Sequence, residues 1–193
     1  SSFTMPDYQE TVGREILNAW LSWLQDLGTK VAREYNGVVP SPGLRTDNMH
    51  RFHSRLQDIA QHVIESYDAA AFSPNQVTRL LIELVRSARA FGHAEDHWRN
   101  VARCRRTRDG AISLELLAAK MLALLSAPIM PSFAGSLWRD LGQMNSLFNA
   151  SWPEGKLESL QEGTWITDLS RNYFDDEERN QLLSCPIGAS SQR

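Results

Sequence analysis

Residues 8–40 read YQETVGREILNAWLSWLQDLGTKVAREYNGVVP. From Tyr8 onward Val12, Ile16, Trp20, Trp23, Leu27, Val31 and Tyr35 recur at steps of three and four, which lays them along one face of a long amphipathic helix. Gly37 and the VVPSPG run end it, because glycine tolerates the turn and proline cannot continue the hydrogen-bond ladder. A helix of this length buries its stripe only against other apolar faces, so the neighbouring segments decide the fold class.

Those segments repeat the helical period. Met49, Phe52, Leu56, Ile59, Val63 and Tyr67 form a second stripe. A third helix opens at SPNQ (73–76), with Ser73 as cap, Pro74 in the first turn and Gln76 completing a capping box. Its face is Val77, Leu80, Leu81, Leu84, Val85, Ala88 and Phe91, stopped by Gly92. A fourth helix carries Leu114, Leu117, Met121, Leu124 and Leu125 before Pro128, and a short fifth carries Phe133, Leu137, Trp138 and Leu141 before Gly142. No stretch alternates as a strand would. The spacing predicts an all-α protein, an antiparallel helical bundle of four to five helices over 1–150, with Trp20, Trp23, Trp138 and Trp152 as core anchors. After Trp152 and Pro153 the composition turns polar and acidic, with FDDEER at 174–179. Residues 151–193 therefore read as an irregular C-terminal extension packed on the bundle, its last residues disordered.

A chain of 193 residues with 42% hydrophobic and 22% charged residues falls among ordinary globular proteins. It has no apolar run long enough for a membrane span and no signal-peptide pattern, and Cys104 and Cys185 are too few for a disulfide framework. These features predict a cytoplasmic protein with free thiols and no membrane partner. Of the five histidines, His50 and His53 could chelate from one helix face, but no carboxylate or cysteine signature accompanies them, and no metal or other cofactor is expected. Glycine-rich phosphate loops, nucleophile elbows and paired catalytic carboxylates are also missing from the sequence, so no catalytic residue is assigned.

Charge is unevenly spread. Net charge is −3, yet Arg99, Arg103, Arg105, Arg106 and Arg108 fall within ten residues that hold no acid, directly after Trp98. An aromatic beside guanidinium groups is what single-stranded RNA recognition uses: bases stack on the ring and phosphates meet the cations. Read structurally, the same stretch is a packing tryptophan followed by a solvated basic loop.

Four segments, in order, resemble the anticodon-binding domain of class I aminoacyl-tRNA synthetases, most of all that of methionyl-tRNA synthetases. In SWLQDLGTKVAREYNGVVPSPG (22–43), Leu27, Gly28, Arg33, Gly37, Val39 and Pro40 match the first-helix pattern. AEDHW (94–98) resembles the segment ending in Pro-Trp after the third helix. LLSAPIMPSFAGSLWRDLG (124–142) and WPEGKLESLQEGTWI (152–166) follow in the expected order, so the resemblance runs from about Phe3 to Phe174. It implies a tRNA-binding surface on which Arg33 and Trp98 correspond to residues that read the CAU anticodon. Thr29 stands at the position of the family's base-reading asparagine and His97 at that of its proline. A threonine hydroxyl cannot offer the fixed donor and acceptor pair of an amide. Arg99, Arg103, Arg105 and Arg106 would line the approach of the phosphates.

The resemblance also implies a division of labour. Class I synthetases activate amino acids on a Rossmann domain carrying HIGH-like and KMSKS-like motifs, and neither occurs here. No catalytic centre is expected in this chain alone, and its implied partners are tRNA and a synthetase-like catalytic domain, covalent or separate. Beginning at Ser1 without methionine suits an excised or processed piece of such an enzyme, or a free-standing descendant. A different reading makes the bundle a structural or assembly domain of a synthetase paralogue that has lost anticodon reading, in a pathway that uses an activated amino acid. Thr29 and His97 favour it; Arg33 and Trp98 favour tRNA binding.

Overall fold

The computed structural model describes residues 5–147 and 158–184, with side chains from Gly13 onward and for Glu10. Tyr8, Val12, Trp152 and Cys185, assigned above to stripes, core or free thiols, lie outside the described side chains. The fold is an all-α bundle. Its helices are α1 (Met5–Tyr35), α2 (Asp47–Asp68), α3 (Pro74–Glu95), α4 (Arg105–Ser126), α5 (Pro131–Asp140) and α6 (Asp176–Leu183), with two short 3-10 turns, Asp96–Trp98 and Ala102–Cys104, between α3 and α4. None of the described helices is long and apolar enough to cross a membrane.

Helix α4 is the axis of the bundle, packing against α1, α2, α3 and α5. Its middle, Ala111 to Ala119, is buried on all sides. Small residues make that possible: Gly110, Ala111, Ala118, Ala119 and Ala123 let neighbouring backbones approach while Leu114, Leu117, Met121 and Leu125 fill the space between them. The stripes of α1, α2 and α3 all point inward, with Trp20, Trp23 and Trp138 buried as their positions predict. Burying a Leu, Val or Phe side chain contributes about 1.5–3 kcal/mol, so these faces dominate stability.

Three local expectations are corrected. The capping box at Ser73 does not form, since the Ser73 side chain makes no cap bond. Its carbonyl instead accepts from the Gln76 and Val77 amides, the first of which is the donor that a side-chain cap would have served. The arginine run is not a loop, because Arg105, Arg106 and Arg108 sit in the first turn of α4. The extension is not irregular throughout either. Asp175 caps α6 by accepting from the Glu178 amide at 2.8 Å, while Glu178 accepts in return from the Asp175 amide, a complete capping box that starts at the FDDEER stretch.

This C-terminal segment straps the bundle. Val39 N–H donates to Thr164 C=O and Ile166 N–H to Gly37 C=O, both at 2.9 Å, around a Val38–Trp165 bridge. Farther along, Leu169 lies over Gly28, and Leu183 lies on Gly13, where a Cβ would come within 2.5 Å of the Leu183 Cα. Phe174 stacks on Phe133 at 4.6 Å, and Trp20 of α1 packs 5.6 Å from Phe133. Helix α5 lacks a side-chain cap of its own, and Glu178 supplies one by accepting from the Ser132 amide at 2.7 Å and the Phe133 amide at 3.1 Å.

Candidate functional site

The last two turns of α1, the turn holding Trp98 and the first turn of α4 meet at one end of the bundle. Arginine 108, counted above with the basic run, is 1% exposed and is the clamp that joins them. Its Nε and Nη2 donate to the two carboxylate oxygens of Glu34, each at 2.9 Å, and its Nη1 donates to Asp96 Oδ1 and the Glu95 carbonyl at 3.3 Å. Such a forked pair fixes direction as well as distance. Lysine 30, also buried, reaches Asp26 at 3.1 Å, Asp96 at 3.2 Å and Glu115 at 3.3 Å. Burial works against its charge, but Glu115, Asp26 and Asp96 outweigh it and hold the amine above its ordinary pKa. Burial in turn pushes the Glu115 carboxyl up to about 6, against the pull of Lys30 and Arg108.

Trp98 is half-buried, one side packed on the core. Its indole N–H donates to Glu95 Oε2 at 2.7 Å, and Asn48 of α2 donates to the other oxygen of the same buried carboxylate. The His97 ring stands 4.2 Å from the indole at 42°. The ring is therefore fixed at its polar edge by α2 and α3 and left partly open to solvent.

On α1, Thr29 and Arg33 are one turn apart and directly beside Lys30 and Glu34, which hold the Trp98 turn. Thr29 is half-buried and Arg33 exposed, and Arg33 makes no bond to another described residue. The basic run divides in two. Arg99 pairs with Glu34 at 3.1 Å. Arg105 pairs with Asp109 at 3.3 Å, donates to the Glu34 carbonyl at 2.8 Å and lies 4.3 Å over the Tyr35 ring, where a cation favours the carboxyl end of α1. Arg103 and Arg106 are exposed and have no partner among the described residues. His53 Nδ1 faces the Arg45 guanidinium at 3.2 Å.

Sequence reasoning missed Glu34, Lys30, Asn48, Glu95 and Asp96, which position the site without facing outward. A lysine between Leu27 and Val31 on an apolar stripe was the one signal of a buried ion cluster. It also missed Trp165, 71% exposed, whose ring stands over Gly37 at the same end of α1.

Comparison with known proteins places the chain in a family. Residues 50–182 match the family model described as the anticodon-binding domain of tRNA ligase. The methionine–tRNA ligase of Protochlamydia amoebophila is 22% identical over 162 residues, 83% of this chain and 23% of that protein. That of Aeropyrum pernix is 27% identical over 154 residues, 80% of this chain and 26% of that protein. The chain thus spans about a quarter of the length of these relatives. In fold it is similar to free Mycobacterium tuberculosis methionyl-tRNA synthetase, with a TM-score of 0.71 at 19% identity over 90% of this chain and 36% of the other. The same enzyme with methionyl-adenylate gives 0.66 at 21% identity over 79% and 30%. The chain belongs to the family of anticodon-binding domains of tRNA ligases.

Proposed function

We propose that this domain docks the anticodon arm of a tRNA in the cytoplasm for a methionyl-tRNA-synthetase-like catalytic domain, covalent or separate. The observation that carries the reading is the half-buried Trp98 ring, locked by Glu95 near Arg33, Arg103 and Arg106, which have no partner among the described residues. An unstacked loop base would lie on Trp98, with His97 at the ring's flank. Arg33 would reach a base edge or phosphate and the Thr29 hydroxyl a single polar atom. Arg103 and Arg106 would take backbone phosphates, and Arg99 and Arg105 would add field while holding Glu34 and Asp109.

Binding of unmodified tRNA to the chain at two salt concentrations tests this. Trp98→Ala is expected to weaken binding roughly 10- to 100-fold, the worth of one stacked base. Removing Arg103 and Arg106 together should flatten the dependence on salt. The second reading, an assembly domain without anticodon recognition, draws on Thr29, which lacks the amide's paired donor and acceptor. An unchanged affinity in Trp98→Ala, or equal affinity for an arbitrary hairpin, would select it and refute the first.

A further inference from the structure

Helices α1 and α3 enclose a groove on a different part of the bundle, and none of the residues proposed to meet tRNA lines it. A cavity of about 380 Å³ has Ile16, Trp20, Ile82 and Val85 as its apolar floor and Glu15, Arg86 and Arg89 at its rim. It continues past Arg89 and His93, which line both parts, into a recess of about 160 Å³ bounded by Trp23, Asp26 and Glu115. The larger volume falls in the roughly 300–1,000 Å³ range of small-molecule sites.

Arg86 and Arg89 form no ion pair with any described residue, whereas Lys30 already engages Asp26 and one oxygen of Glu115. Glu15 is the opposing charge at the mouth. Two guanidinium groups with no ion-pair partner among the described residues, beside an aliphatic and aromatic floor, call for a ligand that is anionic at one end and apolar at the other. The floor is rigid, since Trp20 is held by Phe133 and Phe174 at 5.6 and 5.9 Å.

We infer that the α1/α3 groove is a binding site for a small amphipathic organic anion, its head on Arg86 and Arg89 and its body on Ile16, Trp20, Ile82 and Val85. The inference is independent of the tRNA reading.

Titration of the 193-residue chain with 1-anilinonaphthalene-8-sulfonate tests it. Saturable binding at one site is expected, with a Kd of roughly tens of micromolar for a ligand of this size. 1-Naphthoate should displace the dye while the neutral 1-naphthamide does not, and 1-naphthyl phosphate distinguishes a phosphate from a carboxylate head. Replacing Arg86 and Arg89 by alanine should raise Kd about tenfold or more, the loss of charge-assisted contacts. Ala19→Leu, which fills the groove without touching a charge, should block binding. Arg51→Ala, in the separate α2/α3 groove, should leave it unchanged. Circular dichroism of each variant reports folding. Absence of saturable binding at millimolar dye, equal competition by the amide, or binding indifferent to both the arginine and Ala19 variants would overturn the assignment. So would loss of tRNA affinity in the arginine variant with no dye bound, which would make the groove part of the nucleic-acid surface.

Discussion

Glu34→Ala tests whether the clamp at the end of α1 holds the site together. The substitution removes the acceptor of two 2.9 Å bonds and leaves a guanidinium that is 1% exposed with the Asp96 carboxylate and the Glu95 carbonyl, both at 3.3 Å. Arginine cannot shed its proton to escape burial. Removing one member of a buried ion pair costs about 3–5 kcal/mol. Asp96 remains but is more than a third exposed and shared with Lys30, so it offsets only part, and about 3 kcal/mol is the expected loss. In a chain of this length each kcal/mol moves Tm by about 2–4 °C, so a fall of about 6–12 °C follows. Urea denaturation followed by circular dichroism at neutral pH measures it. Replacing the pair together, Glu34→Leu with Arg108→Met, should recover most of the stability, because an apolar pair of similar volume avoids the cost of dehydrating the ions. A loss below about 1 kcal/mol in the single variant would mean that water already reaches Arg108 and that the pair acts as a surface bridge, which would refute the reasoning. A double variant no more stable than Glu34→Ala would refute it equally.

Burial raises the folded-state pKa of Glu115 from 4.5 to about 6, so the folded chain binds that proton more tightly than the unfolded one. Its contribution is fully present below pH 4.5 and is lost as pH rises through 6. The difference in stability between the parent and Glu115→Gln should change across that window, and a pH-independent difference would show that folding leaves the Glu115 pKa unshifted. Glu178→Ala uncaps α5 and opens half of the α6 capping box, while the Asp175 cap on the amide of residue 178 stays, and should cost about 1–2 kcal/mol, with amide exchange in α6 accelerating first. Unchanged exchange there would show that α6 docks through its apolar contacts alone.

Helix positions were legible because burial repeats with the helical period. The stripes of α1, α2 and α3 needed no long-range information, and their ends followed from glycine and proline. Helix α4 was read from Leu114 onward and its true start at Arg105 was missed, because three arginines in a first turn look like solvated loop until Glu34, Asp96 and Asp109 are seen to receive two of them. Helix α6 was missed for a different reason. With eight residues, of which only Glu178 and Leu182 are buried, it has no stripe to detect, although its Asp175–Glu178 capping box was present in the sequence.

The candidate site divides along the same line. Trp98 and Arg33 are proposed from the residues and their resemblance, and the structure leaves Trp98 half-buried and Arg33 exposed. Their supports were not identifiable, because Glu34 and Arg108 are 74 positions apart and Lys30 and Glu115 are 85 apart. The amino-acid sequence by itself determined an all-α bundle with its basic and aromatic residues gathered after the third helix. Only the tertiary structure decided which arginines are bound internally and which have no partner among the described residues, and that Arg86 and Arg89 of α3 flank an apolar groove against α1. Helical periodicity is a local property of backbone geometry, whereas the pairing of buried charges depends on which elements the packed core brings within hydrogen-bond reach.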